Sequence, residues 1–316
     1  MAGAESRAGT DLLIILWRIY MDSCKMLKKT IAAILKTNEK NILDVRAAKK
    51  GMTNISYTFQ YNHMYYIIRI PGIGSNNLIN RKQECAVYEC IKNSNTCDDL
   101  VYINAEDGYK ITKFYHNARH CNPHDVKDVK RCITFLHDFH NQNLKVDHSF
   151  HLFQQINAYE KLRKNKPSIY SDYMQTKNNI FNLENYIKNN VENITLSHID
   201  AVCDNFLFVP SSDSAEQIKL IDWEYSGMHD PHIDIAMFCI YSMYNQKQID
   251  EIINFYFNGN VKENVRIKIY CYIAACGLLW SNWCEYKHSL GVNFGPYAVQ
   301  QYLYAKKYYN LVAGRL

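Results

Sequence analysis

The stretch Leu196-Ser-His-Ile-Asp-Ala-Val-Cys-Asp-Asn-Phe-Leu-Phe208 spaces His198, Asp200 and Asn205 in the pattern H-x-D-x-x-x-x-N, and an apolar run over residues 206–209 follows at once. Seventeen residues after Asn205, a second apolar run, Ile218-Lys-Leu-Ile221, ends in Asp222. Two short strands that each deliver a metal-ligating oxygen side chain are what phosphoryl transfer from a nucleotide requires. In that chemistry Asp200 is the candidate catalytic base. It would take the proton of a substrate hydroxyl and align it for in-line attack on the γ-phosphoryl. Asn205 and Asp222 offer hard oxygen ligands to Mg2+, a hard ion. His198 is expected to pack and hydrogen-bond so as to hold the loop, and Asp204 to be an ordinary polar loop residue.

The elements upstream must position a nucleotide. The patterning predicts a helix over 25–35, a strand over 42–46, and a hairpin of strands 55–61 and 65–70 turning at Asn62-His63. Gly51-Met-Thr-Asn54 sits between the first two strands, where small residues let backbone N–H groups approach a phosphate; taken alone it is an ordinary turn. Arg69 interrupts an apolar strand, and a buried cation needs an anionic partner. The helix expected over about 78–92 turns Glu84 inward. An Arg on the third strand with a Glu on the next helix matches the cation–glutamate pair that organises nucleotide phosphates, the plainer alternative being a solvent-edge Arg and a surface Glu. Strands over 100–103 and 109–114 complete a small β-rich lobe, and the crossover near 114–123 leads to a helical one. There, helices are expected at 125–142, 235–244, 248–257, 262–287 and 296–310, with two polar-faced helices over 150–192. His137 and His140 lie three apart on one helix without a third ligand, so they read as helix-face residues and not as a zinc pair.

Composition limits the alternatives. Hydrophobic residues make up 47% of the 316 and charged residues 21%, which predicts a packed globular chain. The net charge of +5 is small and dispersed, and no nucleic-acid-binding motif accompanies it, so nucleic acid is not an expected partner. The eleven cysteines show no CxxC pair and read as reduced thiols of a cytoplasmic protein. The apolar residues 11–20 are broken by Arg18 and fall short of the roughly 20 residues a span needs. Residues 1–22 are therefore read as an extension outside the fold, with a membrane-interface helix as the alternative, and no membrane span is expected.

The phosphoryl acceptor is suggested by aromatic density in the second half of the chain: Tyr225, Trp280, Trp283, Tyr286, Phe294 and Tyr297. Trp280 and Trp283 are i and i+3 and share a helix face. Glu224 and Glu285 are acids nearby in sequence. Aromatic faces with an acid at their edge attract quaternary ammonium groups through cation–π interaction; plain core packing is the alternative.

Ile221-Asp-Trp-Glu-Tyr-Ser-Gly-Met-His-Asp-Pro231 and Tyr66-Ile-Ile-Arg-Ile-Pro-Gly72 closely resemble motifs of the choline/ethanolamine kinases, especially the bacterial LicA-type choline kinases. Gly51-Met-Thr-Asn54, Asn80-Arg-Lys-Gln-Glu84, Leu279-Trp-Ser-Asn-Trp283 and Phe294-Gly-Pro-Tyr-Ala298 resemble the same family, in order, from about residue 25 to the C-terminus. The resemblance implies an α+β, two-lobed, protein-kinase-like fold: a small lobe over 23–115 with an antiparallel sheet and one key helix, and a larger, mostly helical lobe over 116–316. It implies ATP and Mg2+ as cofactors, choline as small-molecule substrate and phosphocholine as product, in a monomer or homodimer. Residue by residue, it implies that Asp200 is the base and that Asn205 and Asp222 hold the metal. It assigns Asn54, Arg69 and Glu84 to the nucleotide phosphates, and Glu224, Tyr225, Trp280, Trp283 and Tyr297 to the amine pocket. The family's loop usually reads H-N-D, where this chain has His198-Ile199-Asp200. An ethanolamine, thiamine or aminoglycoside kinase is the neighbouring reading, and a nucleotide-binding pseudokinase is a reading of a different class.

Overall fold

The structure, a computed structural model, describes residues 24–48, 54–72, 74–164, 166–211 and 215–316. The expected extension over 1–22 and residues 51–53 of the glycine turn lie outside the described residues. The chain divides into two compact units. One holds the described residues up to Leu78 together with Asp99–His116, and the other holds Ile79–Asp98 and Asn117–Leu316.

The smaller unit is a helix, α1 (24–34), on an antiparallel sheet of β1 (Leu43–Ala47), β2 (Asn54–Tyr61), β3 (Met64–Pro71), β4 (Leu100–Ile103) and β5 (Lys110–Lys113) in the order β1-β2-β3-β5-β4. The β2–β3 hairpin turns at Asn62 and His63, both with positive φ (48° and 63°), the pairing that matches the strands' right-handed twist. Strand alternation sends Phe59, Ile68 and Ile111 to one face, where they meet Leu27 and Ile31 of α1 and Ile42. Arg69, one residue from Ile68, is thereby sent to the other face.

The larger unit carries α2 (Arg81–Ile91), β6 (Arg119–His120), α3 (Val126–Asn141), α4 (Leu152–Lys161), α5 (Tyr173–Phe181), α6 (Glu184–Asn189), β7 (Thr195–Ser197), β8 (Phe206–Val209), β9 (Gln217–Leu220), β10 (Gly227–His229), α7 (His232–Tyr241), α8 (Gln246–Tyr256), α9 (Glu263–Ser289) and α10 (Pro296–Val312). Residues 150–192 form three helices where two were expected: the chain turns at Asn182 and Leu183 between α5 and α6, although Ile180, Leu183 and Ile187 keep one buried face across the turn. Two small antiparallel sheets, β6-β8-β9 and β7–β10, frame the loop over 198–205. Helix α9 is buried on nearly every side along its 27 residues, as a helix apolar all round must be. At Gly277 it runs so close to α10 that a Cβ there would sit 2.6 Å from the Gln301 carbonyl oxygen and 2.9 Å from the Ala305 nitrogen.

Candidate active site

The loop over 198–205 leaves β7 and enters β8, so two strands fix its ends. Its first turn is gripped by one carboxylate. Asp234 of α7 accepts the backbone N–H of His198 on Oδ2 (2.8 Å) and that of Ile199 on Oδ1 (2.7 Å). Ile199 adopts φ +69°, a left-handed conformation that costs an L-residue about 1–2 kcal/mol and is rare for a β-branched one. The Asp234 grip and the burial of the Ile199 side chain hold it there. His140 of α3 donates from Nε2 to the same Asp234 Oδ2 (3.0 Å), which leaves its Nδ1 to accept from the Tyr256 hydroxyl (2.8 Å). Burial would raise the proton affinity of Asp234, but the His140 hydrogen bond and the His198 N–H hold its pKa below the usual carboxylate value. His198 itself is fully buried, rests edge-on against Trp223 and makes a 2.9 Å hydrogen bond to the Ile221 carbonyl.

This anchoring presents Asp200. Asn205 donates from Nδ2 to the Asp200 carbonyl (2.8 Å) and to its carboxylate Oδ2 (3.3 Å). The β8–β9 pairing and a 3.0 Å bond from Ile221 N–H to the Asn205 carbonyl bring Asp222 alongside. Burial, and then the charges of Asp222 and Glu224, push the pKa of Asp200 well above its ordinary value, with the Asn205 hydrogen bond pulling the other way. Clustered, partly desolvated carboxylates that repel one another in this way call for a cation. The donor set fits Mg2+: with Nδ2 committed to Asp200, Asn205 has its carbonyl oxygen to give, and Asp222 adds a carboxylate. His137 is half-buried and His140 faces Asp234. Among the described residues no group of three or more His, Cys, Asp or Glu is arranged to hold a metal. Asp204 accepts from the Tyr241 hydroxyl at 2.8 Å.

Of the residues expected at the nucleotide, Asn54 opens β2 and is buried, and Arg69 is buried on β3 with Nη2 3.4 Å from the Gly108 carbonyl. Glu84 lies on α2, whose N-terminus is capped by the Asn80 side chain. Its carboxylate accepts a 2.8 Å bond from Arg81 Nη1, and the same nitrogen reaches Glu224 at 3.0 Å. Arg81 was not anticipated, although its i, i+3 spacing from Glu84 was visible.

The aromatic residues form a continuous run of ring contacts: Tyr225–Trp280 at 5.6 Å, Trp280–Trp283 at 5.5 Å, Trp283–Phe294 at 5.0 Å and Phe294–Tyr297 at 6.5 Å. Trp280 donates to Met237 Sδ (2.8 Å), which fixes its indole. The run lies beside Asp200, whose charge adds to the burial that raises the Tyr297 pKa. Tyr159 of α4 joins it: burial raises its pKa, its hydroxyl meets Gln155 and Tyr225, and Asp200 and Glu224 lie near enough to act on it. Sequence reasoning missed Tyr159 because an isolated Tyr on an amphipathic helix carries no signal. Glu285 points elsewhere, held by Arg163 and Ser168.

A family model described as Choline/ethanolamine kinase matches residues 45–271. Protein LicA of Haemophilus influenzae is 24% identical over 264 residues, covering 79% of this chain and 76% of that one. Among solved structures, the choline kinase LicA from Streptococcus pneumoniae superposes with a TM-score of 0.78 at 27% identity, over 92% of this chain and 99% of that one. LicA in complex with AMP gives 0.77 at 27% identity, over 91% and 98%. The architecture is the α+β protein-kinase-like fold.

Proposed function

The chain belongs to the choline/ethanolamine kinase family, and from that premise we propose that it transfers the γ-phosphoryl of ATP to the hydroxyl of choline, giving phosphocholine and ADP. The observation that carries this reading is a half-buried carboxylate, Asp200, near enough to a run of aromatic rings for its charge to act on Tyr297. Ring faces attract a trimethylammonium group, which has no N–H to donate. Tyr225, Trp280, Trp283 and Tyr297 hold that group, and Glu224 adds negative potential. Choline is then oriented with its hydroxyl at Asp200, whose raised proton affinity suits it to accept the hydroxyl proton. Asn54, Arg69 and Glu84 organise the nucleotide phosphates. Asn205 and Asp222 would hold Mg2+, which when bound neutralises charge developing on the phosphoryl oxygens. The free thiols fit a cytoplasmic enzyme, and no helix among the described residues is long and apolar enough to cross a membrane.

Ethanolamine is the alternative acceptor, since the family spans both amino alcohols. A primary ammonium needs hydrogen-bond acceptors that ring faces do not supply. ADP release measured with choline, ethanolamine, thiamine and an aminoglycoside, with and without Mg2+, tests the proposal. The highest kcat/KM is expected for choline. No choline-dependent ADP release in the presence of Mg2+ refutes it.

A further inference from the structure

Asp222 and Tyr225 sit three residues apart on one turn, over 222–226. The backbone of Asp222 is left-handed, with φ +67°, and strained backbone of this kind persists only where its surroundings over-determine it. The Trp223 indole donates to the Leu220 carbonyl (2.8 Å), the Ser226 N–H to the Trp223 carbonyl (3.3 Å), and the Ser226 hydroxyl to the His198 carbonyl (3.1 Å). A further hold on the turn is Glu224, whose side chain runs to Arg81. The side chains of Arg81, Glu84 and Glu224 are 8%, 1% and 1% exposed, and Arg81 Nη1 donates to both carboxylates.

We propose that Arg81 is a positioning residue of the active site: through Glu224 it sets Asp222 and Tyr225 together. The phosphoryl side and the amine side of the site then answer to one guanidinium. Glu224 acts by anchoring the turn, and its charge reaches the substrate as a field and not as a contact. A lysine keeps the charge but not the planar guanidinium whose Nη1 lies between the two carboxylates, so it replaces the arginine only in part. The inference rests on the kinase reading above.

The test uses R81Q, R81K, E224Q and the R81Q/E224Q double variant, assayed with ATP and the acceptor that the parent turns over best. Thermal midpoints are recorded for each variant. Binding of that acceptor without nucleotide is followed by intrinsic tryptophan fluorescence. R81Q and E224Q are each expected to lower kcat/KM by about tenfold or more, raising KM for ATP and for the acceptor alike, and to weaken acceptor binding in parallel. R81K should recover part of the loss, and the double variant should be no worse than the poorer single one, as expected of residues acting as a unit. If R81Q fails to fold, E224Q, which keeps the shape and a polar side chain, and R81K carry the comparison. An E224Q that weakens acceptor binding beside an R81Q or R81K that leaves it unchanged would make Glu224 the direct counter-ion and overturn the proposal; so would losses that multiply in the double variant. A parent that turns over no acceptor refutes the kinase reading, whereas an active parent with unresponsive variants refutes only this inference.

Discussion

Replacing Asp234 by Asn tests the anchoring of the catalytic loop, because it changes hydrogen-bonding capacity with almost no change in shape. Oδ2 serves both the His198 N–H and His140 Nε2, whereas Oδ1 serves only the Ile199 N–H. An Asn would keep its carbonyl where two donors converge and turn its NH2 against the Ile199 N–H. One charge-assisted bond, worth about 1.5–3 kcal/mol, is lost. Part of that is recovered, because Ile199 can then leave its left-handed conformation and shed about 1–2 kcal/mol of strain. The net fall in unfolding free energy is about 0–2 kcal/mol. The effect on rate should be disproportionate. Ile199 precedes Asp200, so relaxation there displaces the base, and a misplacement of about 1 Å can cost about 100-fold. Urea unfolding alongside choline-dependent ADP release separates the two effects. A D234N variant that loses stability yet keeps kcat within about threefold of the parent would show that the Asp234 grip does not position Asp200.

Asp200→Asn should lower kcat by about 100- to 10,000-fold, the usual contribution of a general base, while leaving the thermal midpoint unchanged or higher, because the neutral amide ends the repulsion with Asp222 and Glu224. His232 is held neutral by burial, its pKa lowered to about 4, against about 6.5 in an unfolded chain. Between those values the unfolded chain binds more protons, so stability should fall as pH drops from about 6.5 towards 4, by at most about 3 kcal/mol from this group. Urea midpoints for the parent and a His232→Asn variant across that window should converge on acidification, and parallel curves would exclude His232 as the cause. Gly277→Ala should destabilise by about 1–3 kcal/mol, because the new methyl meets backbone atoms of α10 and not a side chain able to swing away; calorimetry showing an unchanged midpoint would refute the close approach.

Much of this arrangement was legible in the sequence because local pattern and function coincide there. His198, Asp200, Asn205 and Asp222 lie at strand ends, and the apolar runs marking those strands pointed to them. The hairpin was readable from Asn62-His63, two residues that tolerate positive φ. What escaped were partners brought in from distant elements. Asp234 stands in an apolar helix, and the argument applied to Arg69, that a buried charge needs a counterpart, applies equally to it; its counterparts, two backbone N–H groups 35 and 36 residues upstream and a His 94 residues away, have no sequence signature. Arg81 lay within a motif noted for Glu84, but its reach to Glu224 spans 143 positions. The turn geometry of Ile199 was hidden for another reason: a β-branched residue is among the least expected in a left-handed backbone.

The absent side chain at Gly277 has a further consequence. Trp280 and Trp283 project from α9 within two turns of it, while Tyr297 projects from the first turn of α10. If these rings hold the acceptor as proposed above, the spacing of the two helices sets the breadth of that site, and a residue that never meets the acceptor governs it. Variation toward bulkier or smaller amines need not begin with the rings themselves. A single methyl at 277, which meets the α10 backbone at Gln301 and Ala305, would have to move that helix and carry Tyr297 with it.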